Sequence, residues 1–431
     1  MNEYSYWLDT LQSPVISRPS SVGSQQSSVE GHYDAVVIGA GYTGLSAART
    51  LARSGARVLV VERESIGWGA SSRNAGQVVT GLRLEASTLV ERYGEAQARR
   101  LFDVGRDSIA ALERLIADEQ IDCTFERCGH VEAAAKPVHF EYFRKEQSLL
   151  ARAFDHRVEL VSRDSQRSEI GTDAYYGLLV DDASRALNPA QYVYGLALAA
   201  TRAGATVVTG VAVTQVQPSG TGWAVSTTGG VVEARSVLSA TNGYVDAALP
   251  ALQRRFVPVG SYIIVTAPLA ADVAAAILPR RRTAFDSKHF LHYFRLTADA
   301  RLLFGGRAEF SRPDPESIRR AARILRDDLG RIFPQIADMA IDYAWGGNVA
   351  FARDEMPRAG LLDGLFYAGG YGGHGIAMAT HLGDQIARRM AGERVDQPLF
   401  DDRFSAIPFY SGKPWFLPLA GAYYRFRDLI E

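Results

Sequence analysis

The sequence predicts an α/β protein that contains a Rossmann-like dinucleotide-binding domain. The first observation is the stretch 35–62, which follows the order strand, glycine turn, helix, strand and terminal acid. The second is the length of 431 residues, which exceeds what one hydrophobic core usually organises and indicates two joined domains. The third is a group of strand patterns at 262–265, 289–296 and 302–305, which predicts a second sheet.

The glycine turn has the spacing G-x-G-x-x-G at Gly39, Gly41 and Gly44. Gly39 permits a tight exit from the strand 35–38, and Gly41 lets a pyrophosphate approach the backbone. Gly44 lets the helix lie close to the sheet, so that the N–H groups of its first turn face the phosphates. An ordinary strand–helix turn is the alternative, but the helix and terminal acid that follow favour a dinucleotide site.

Glu62 ends the second strand, 58–61, where its carboxylate can accept both hydroxyls of an adenosine ribose. It would repel a 2′-phosphate, which favours FAD or NAD over NADP, although the adjacent Arg63 weakens that exclusion. The same glycine spacing recurs at 370–375, but the helix that follows, 376–390, leads to no strand and no strand-end acid. The sequence therefore predicts one dinucleotide site and not two.

Composition limits the functional class. Apolar residues make up 47% and charged residues 22%, as in a soluble globular protein, and the formal net charge of -1 gives no general attraction to nucleic acid. No apolar run reaches the ~18 residues of a membrane span, and the N-terminus lacks signal-peptide features, so we expect a cytoplasmic protein. Cys123 and Cys128 are too few for a structural zinc site, and we predict inert thiols and no metal.

The chain begins with an aromatic segment and a linker. Residues 13–31 are rich in Ser, Gln and Pro and predict a linker. The preceding Tyr4, Tyr6, Trp7 and Leu8 either dock in a groove of the body or fray, and docking is favoured. Further helices are predicted at 85–117, 140–154, 189–202 and 315–332, and further strands at 129–134, 207–208, 211–213, 223–226, 237–240 and 365–368.

Six dispersed motifs carry a family resemblance. They are the βαβ unit, the loop GWGASSRNAGQ, the turn SATNGY, and the runs YFRLTADARLLFGGR, WGGNVAFARDEMP and LFYAGGYGGHGIA. They occur in order over nearly the whole chain, which makes them more specific together than any one motif. The chain resembles the D-amino-acid oxidase and glycine oxidase superfamily of flavoproteins, and within it the γ-glutamylputrescine oxidase-type amine oxidoreductases.

The resemblance implies a discontinuous, Rossmann-like FAD-binding domain of the glutathione-reductase type. It also implies a second, α+β substrate domain built on a mixed or antiparallel sheet. The implied segments are 31–85, 160–250 and 340–395 for the FAD-binding domain, 86–159 and 251–339 for the substrate domain, 1–30 for an N-terminal segment with its linker, and 396–431 for a C-terminal extension.

The resemblance also implies how FAD is held. The loop 69–77 would lie along the ribityl chain and flavin ring, Val213 would touch the adenine through its backbone, and the turn 373–376 would point helix N–H groups at the flavin pyrimidine, where negative charge develops. The alternative for that turn is simple helix–sheet packing. Because the loop before Asn74 has no His or Cys and the C-terminal half has no cysteine, non-covalent FAD is expected. The implied cofactor residues are Gly39, Gly41, Tyr42, Thr43, Gly44, Glu62, Arg63, Gly69, Ala70, Ser71, Arg73, Asn74, Ala75, Gly76, Gln77, Val213, Ala240, Thr241, Gly370, Gly373, His374, Gly375 and Ile376.

Candidates for the substrate pocket come from the substrate-side motifs. Aromatic walls would exclude water and help an ammonium lose its proton, although core packing explains each aromatic equally well. The histidine could accept that proton or cap its turn, with capping favoured, and the arginines could clamp a carboxylate, with surface or ion-pair roles favoured. No aspartate or glutamate is singled out as a base. The candidates are Tyr262, Tyr293, Trp345, His374, Arg295 and Arg307.

The motifs together predict an FAD-dependent oxidoreductase acting on the C–N bond of a γ-glutamylputrescine-like or polyamine-like amine. Hydride transfer to flavin would give an imine, which water hydrolyses, and O2 or another acceptor would reoxidise the flavin, with H2O2 as the product from O2. The alternatives are a sarcosine-, glycine- or D-amino-acid-type oxidase or dehydrogenase, an NAD-dependent dehydrogenase, and a non-catalytic flavin-binding protein. The expected partners are a small-molecule amine and an electron acceptor, without nucleic acid.

Overall fold

A computed structural model describes residues 1–11, 29–306 and 313–430, so most of the predicted linker 13–31 lies outside the described residues. The described chain forms two eight-stranded sheets and a two-stranded ribbon. Its helices are α1 (Tyr6–Asp9), α2 (Tyr42–Arg53), α3 (Ala86–Tyr93), α4 (Glu95–Asp118), α5 (Pro137–Phe154), α6 (Pro189–Arg202), α7 (Pro250–Gln253), α8 (Ala271–Ile277), α9 (Pro315–Ile332), α10 (Gly375–Met390) and α11 (Leu417–Ile430). Its strands are β1 (Gly31–Ile38), β2 (Val58–Glu62), β3 (Gln77–Val78), β4 (His130–Ala133), β5 (Glu159–Val161), β6 (Leu178–Asp181), β7 (Arg185–Ala186), β8 (Thr206–Thr209), β9 (Val213–Ser219), β10 (Gly222–Thr227), β11 (Gly230–Ser239), β12 (Val257–Thr266), β13 (Thr283–Asp286), β14 (His292–Leu296), β15 (Leu302–Gly306), β16 (Ile341–Phe351), β17 (Arg358–Leu362) and β18 (Leu365–Gly369).

The first sheet has the strand order β17-β18-β11-β1-β2-β8, and the hairpin of β9 and β10 joins it through β11. β1 pairs in parallel with both β2 and β11, and the parallel pairing continues to β8 and β18. The second half of β1 and nearly all of β2 are buried apolar runs, which is typical of a parallel sheet covered by helices. The predicted βαβ unit is confirmed, with α2 crossing between β1 and β2.

The second sheet has the order β16-β12-β15-β14-β13-β4-β6-β5. Its neighbours are antiparallel except β13 and β4, which are parallel, so the sheet is mixed as predicted. Helix α9 covers it and begins with a capping box, in which the Asp314 carboxylate accepts from the Ser317 N–H at 2.8 Å. Ala321, Leu325 and Leu329 of this helix belong to the same hydrophobic core as the sheet.

Sheet membership differs from the predicted domain segments. β6 lies in the segment 160–250 and β16 in the segment 340–395, both assigned to the FAD-binding domain, yet both strands pair in the second sheet. Conversely, α4 lies in the segment 86–159, assigned to the substrate domain, yet it packs with α2 and α10 in the core beside the first sheet. The chain crosses between the sheets several times, which local sequence patterns do not report. The domain boundaries themselves stay a prediction.

The N-terminal aromatic segment docks on the body of the protein. Tyr6 and Trp7 are buried and share an apolar cluster with Trp345 of the second sheet. The docking prediction is thus confirmed for these two residues, whereas Tyr4 and Leu8 are exposed. In the described part of the chain, we find no helix with the length and apolar character that a membrane crossing requires.

A buried ion-pair network attaches the turn between β13 and β14 to helix α9. His292 Nδ1 lies 3.0 Å from Asp286 Oδ2, and Nε2 lies 3.1 Å from Asp328 Oδ2. Burial alone would lower the pKa of His292, but the two carboxylates outweigh burial and raise the pKa to about 9. His292 is therefore protonated at neutral pH and links the sheet to its covering helix.

We expect the substitution His292→Gln to destabilise the protein most at low pH. The folded pKa of about 9 exceeds the ordinary value of 6.5, so the stabilisation is complete below that ordinary value and is lost as pH rises through about 9. The loss in free energy of unfolding should be larger at about pH 6 than at about pH 10, by on the order of 3 kcal/mol. Urea denaturation measures it, and a loss independent of pH would contradict the prediction.

Gly44 lies where α2 passes close to β1, and an added Cβ would overlap the carbonyl oxygen of Gly39. Because that atom belongs to the glycine turn, we expect Gly44→Ala to lower the free energy of unfolding by roughly 2–4 kcal/mol. The matched control is Gly330→Ala in α9, whose Cβ would meet the Cβ of Ala337 at 3.2 Å and which gains helix propensity. Thermal unfolding should separate the two variants, and equal melting temperatures would show this reading of Gly44 to be wrong.

Candidate active site

A cavity of about 560 Å³ is lined by residues of both sheets. The carboxyl ends of β1, β2 and β11 line one end, together with the first turn of α2. The loop 69–77 and the first turn of α10 line its middle, and β4, α5 and the turn between β13 and β14 line its polar end. The crevice beyond the carboxyl ends of parallel strands is the usual ligand site of such sheets, so this cavity is the candidate active site.

The glycine turn after β1 is held by the acid at the end of β2. Glu62 Oε2 accepts from the Ala40 N–H at 2.8 Å, and Oε1 accepts from the Glu64 N–H at 2.9 Å. Gly39 has a φ of +105°, which a residue with a Cβ rarely adopts. The turn and the carboxylate are therefore fixed relative to each other at the cavity wall.

Residues 69–77, which we call the clamped loop, follow β2 and are held by three side chains from outside the loop. Each side chain donates one hydrogen bond to one of three consecutive carbonyl oxygens, so the N-terminal segment and the second sheet both fix the loop. The bonds run from the Ser5 hydroxyl to Ser72 O at 2.6 Å, from Trp345 Nε1–H to Arg73 O at 2.9 Å, and from Trp7 Nε1–H to Asn74 O at 2.8 Å.

Hydrogen bonds within the clamped loop and to α2 fix its shape. Asn74 Nδ2 donates to the Ala70 carbonyl at 3.0 Å, and Asn74 Oδ1 accepts from the Gly76 N–H at 2.8 Å. Ser71 Oγ accepts from the Tyr42 N–H at 3.1 Å, which joins the loop to the first turn of α2. The polar residues of the loop thus shape its own backbone as well as the cavity wall.

The turn before α10 opens directly on the cavity. Gly373 has a φ of +102°, and apart from its chain neighbours no described residue has an atom within 4 Å of the position that its Cβ would take. His374 occupies the N-cap position, but its side chain makes no capping hydrogen bond, so the capping prediction is wrong. Its buried Nδ1 has no partner among the described residues. Burial and, secondarily, Arg83 lower the pKa of His374 to about 4, so the imidazole is neutral.

The predicted aromatic candidates separate into one cavity residue and two core residues. Tyr293 lines the cavity, with its hydroxyl 2.9 Å from that of Ser261. Tyr262 is 1% exposed and packs in the core of the second sheet, and Trp345 packs with Trp7 and binds the clamped loop. Neither lines the cavity. Tyr262 and Trp345 therefore pack in the core, which was the alternative to a substrate contact.

Arg295 also lies behind the cavity wall instead of lining it. Its Nη1 donates to the carbonyl oxygens of Gly76 and Leu187, both at 3.0 Å, and its Nη2 lies 3.5 Å from the Glu126 carboxylate. The guanidinium therefore supports the end of the clamped loop and pairs with Glu126, which agrees with the favoured ion-pair role and not with substrate clamping. Arg307, the other arginine candidate, lies outside the described residues.

Most of the predicted cofactor residues line the cavity, and three glycines do not. Gly44 packs α2 against β1, Gly76 lies against Arg295, and the Gly370 N–H donates to Asn242 Oδ1 at 2.9 Å. These three glycines shape the wall from behind. The lining residues are Gly39, Gly41, Tyr42, Thr43, Glu62, Arg63, Gly69, Ala70, Ser71, Arg73, Asn74, Ala75, Gln77, Val213, Ala240, Thr241, Gly373, His374, Gly375 and Ile376.

Sequence reasoning missed the polar end of the cavity. His130 and Glu132 alternate on β4 and line the same face, and their alternation within the predicted strand 129–134 was the signal that could have identified them. The other residues of this end come from two further segments, the stretch 83–85 and helix α5, and no sequence pattern connects these segments with β4. They are Arg83, Glu85, Tyr142 and Glu146.

Two residues of the polar end have pKa values far from their ordinary values. Burial, together with repulsion from Glu85 and Glu146, raises the pKa of Glu132 to about 8. Burial lowers the pKa of His130 to about 3, so this imidazole is neutral. Within the described ranges, no group of His, Cys, Asp or Glu side chains is arranged to hold a metal ion. The polar end therefore offers carboxylates and a neutral imidazole to an organic ligand.

Comparisons with known proteins agree with this arrangement. The family model "DAO: FAD dependent oxidoreductase" matches residues 34–389. Gamma-glutamylputrescine oxidoreductase of Escherichia coli K12 is 34% identical over 405 residues, which cover 92% of this chain and 93% of that protein. The probable oxidoreductase OrdL of Rhizobium meliloti is 31% identical over 432 residues, covering 99% and 97%. The solved structure of glycine oxidase from Geobacillus kaustophilus, 20% identical, has a TM-score of 0.70 and covers 88% of this chain and 98% of its own.

The family match includes strands of both sheets and nearly all of the cavity wall. It confirms the resemblance seen in the sequence and makes FAD the cofactor, which excludes the NAD-dependent alternative. The likeness to glycine oxidase shows the same fold. This chain therefore belongs to the DAO family of FAD-dependent oxidoreductases.

Proposed function

We propose that this enzyme oxidises the C–N bond of a γ-glutamylputrescine-like or polyamine-like amine. The observation that carries the proposal is the group of carboxyl side chains at the polar end, where Glu85, Glu132 and Glu146 line the cavity while Arg295 lies behind its wall. With a pKa of about 8, Glu132 is mostly protonated at neutral pH and ionises when a cation binds beside it. Carboxylates attract a cationic amine. The 34% identity to a gamma-glutamylputrescine oxidoreductase supports the same substrate class.

The residues around the cavity fit FAD. Glu62 presents a carboxylate beside the glycine turn, where ribose hydroxyls can donate to it, and the backbone of Gly373 has room for a bound group. Four buried polar atoms of residues that line the cavity have no hydrogen-bond partner among the described residues, namely His130 Nε2, His374 Nδ1, Arg83 Nε and Asn348 Oδ1. A polar ligand would supply the missing hydrogen bonds. We therefore assign FAD to the lining residues of the glycine turn, the clamped loop and the α10 turn.

When bound, FAD supplies a two-electron acceptor for the hydride that leaves the substrate carbon. The task of the protein is to present the amine in neutral form, since an ammonium of pKa about 10 costs about 4 kcal/mol to deprotonate at neutral pH. The N-terminus of α10 carries about half a positive charge and disfavours a cation beside it. The neutral imidazole of His374 can accept a hydrogen bond from the amine N–H. Water then hydrolyses the imine product.

Oxidation of a small amino acid, such as glycine, sarcosine or a D-amino acid, is a second candidate function. The observation that favours it is Arg83, which lines the cavity and whose Nε has no hydrogen-bond partner among the described residues. Its ion pair with Glu355 is long, at 3.8 Å. A guanidinium in this position can bind the carboxylate of a substrate.

The visible spectrum of the purified holoenzyme tests the function directly. We expect γ-glutamylputrescine or an aliphatic diamine to bleach the flavin absorbance without oxygen, and readmitted O2 or an added acceptor to restore it. A peroxide assay then distinguishes an oxidase from a dehydrogenase. Bleaching by sarcosine, glycine or D-amino acids alone would transfer the assignment to the second candidate. If none of these amines bleaches the flavin, the proposal fails.

The clamped loop provides a prediction about cofactor affinity. The substitution Trp7→Phe keeps an aromatic ring but removes the Nε1–H that holds the Asn74 carbonyl at 2.8 Å. One lost hydrogen bond of this kind is worth about 1 kcal/mol, so we expect the dissociation constant of FAD to rise roughly fivefold. Fluorescence titration of FAD into the apoprotein measures it. The control is Tyr4→Phe in the same segment, which removes an exposed bond to Asp9 and should leave the affinity unchanged. Equal affinity for Trp7→Phe and wild type would disprove the role of this bond.

A further inference from the structure

The polar end of the cavity contains three carboxylates, those of Glu85, Glu132 and Glu146, which we call the carboxylate lobe. Two of them share one phenol, because the Tyr142 hydroxyl lies in hydrogen-bond contact with Glu85 Oε2 and with Glu146 Oε1. Glu146 Oε1 also accepts from the Ser87 N–H at 3.1 Å. These contacts hold Glu85 and Glu146 in place without neutralising them.

Glu132 differs from the other two carboxylates of the lobe. In the described part of the chain, its carboxylate accepts no hydrogen bond, although it lines the cavity and is partly buried. Burial and the neighbouring Glu85 and Glu146 raise its pKa to about 8, which reflects the cost of placing a third negative charge there. A cation bound beside Glu132 would remove that cost.

The nearby cations already have carboxylate partners of their own. Arg83 forms an ion pair with Glu355 at 3.8 Å. Lys288 Nζ lies 3.7 Å from Asp286 Oδ2. The lobe as a whole therefore carries more carboxylates than the cations around it balance, and the described residues do not arrange it to hold a metal ion.

His130 provides an independent sign of a ligand at this end of the cavity. It is 3% exposed and lines the cavity, its Nδ1 lies 2.7 Å from the Thr283 hydroxyl, and its Nε2 has no partner among the described residues. A buried polar atom without a partner is rare and indicates a missing hydrogen bond. His130 and Glu132 are two residues apart on β4, roughly 7 Å, which is the length of a short aliphatic chain.

We propose that the carboxylate lobe, through Glu132, binds a second ammonium group of the substrate, remote from the nitrogen whose C–N bond is oxidised. The substrate class is then an aliphatic amine with a distal cation, such as an α,ω-diamine or an aminoalkyl chain that ends in an α-ammonium group. This inference rests on the proposed amine oxidation. It also explains why the cavity wall offers two different environments: the N-terminus of α10 favours a neutral amine, and the lobe favours a cation.

Binding of two matched amines to the holoenzyme tests the inference without turnover. The probes are 1,4-diaminobutane and butylamine, which share a four-carbon chain and differ in one ammonium group. Anaerobic calorimetry on dithionite-reduced holoenzyme measures binding only, because reduced flavin accepts no further hydride. In the wild type we expect the diamine to bind at least roughly 30-fold more tightly than butylamine. Equal affinities for the two probes in the wild type would overturn the inference.

Variants then identify the residue that provides this preference. We expect Glu132→Gln to remove most of the preference by weakening diamine binding while leaving butylamine binding unchanged. The matched control is Glu159→Gln, an exposed glutamate of the same sheet outside the cavity, which should keep the wild-type preference. Equal weakening of both probes by Glu132→Gln would indicate a role at the reacting nitrogen and overturn the inference. Should that variant fail to fold, the exposed Glu85→Gln must lower the preference, and an unchanged preference there would also overturn the inference.

The outcome is separable from the test of the proposed function. If the diamine binds the reduced holoenzyme through Glu132 but no amine bleaches the oxidised flavin, the lobe is supported as a diammonium site and amine oxidation is wrong. If amines bleach the flavin but the wild type does not prefer the diamine, amine oxidation stands and the lobe does not bind a second ammonium.

Discussion

The cofactor side of the cavity depends on three hydrogen bonds to consecutive carbonyl oxygens of the clamped loop. A backbone carbonyl buried without a donor costs free energy, and the loop itself supplies no donor for these three. The donors come from the N-terminal segment and from β16, at sequence separations of 67 and 272 residues. The geometry of the loop is thus set by the second sheet and the chain terminus, although the loop directly follows the βαβ unit.

This dependence explains why some residues of family-like motifs lie behind the cavity wall. Trp345 and Arg295 both donate to backbone carbonyls at or beside the clamped loop, at the Arg73 and Gly76 positions. The Arg295 guanidinium also pairs with Glu126, and Trp345 is buried in the same cluster as Trp7. A side chain behind the cavity wall affects the ligand by positioning the wall and not by touching the ligand.

Features formed by one continuous segment could be predicted from the sequence. Features formed by segments that only the sheet topology brings together could not. The βαβ unit was predictable because its glycine spacing, helix and strand-end acid all lie within 35–62. The mixed second sheet was predictable as a class, but the membership of β6 and β16 was not, because apolar alternation identifies a strand and not its neighbours. In the site, the sequence could not tell which aromatic and arginine candidates line the cavity and which pack behind it, since the same residue types occur in both places. The carboxylate lobe unites a loop, a strand and a helix, and no single segment signals it.

The strands of the two sheets alternate along the chain, which limits how the chain can be divided into fragments. β4 and β6 enter the second sheet between segments that build the first, and β16 enters it just before β17 and β18 return to the first. No contiguous fragment therefore contains all strands of one sheet without strands of the other, and each core closes only when distant parts of the chain meet. Recombination of this scaffold with a relative must therefore exchange several separated segments at once, because a single crossover point between β4 and β16 would leave both sheets chimeric.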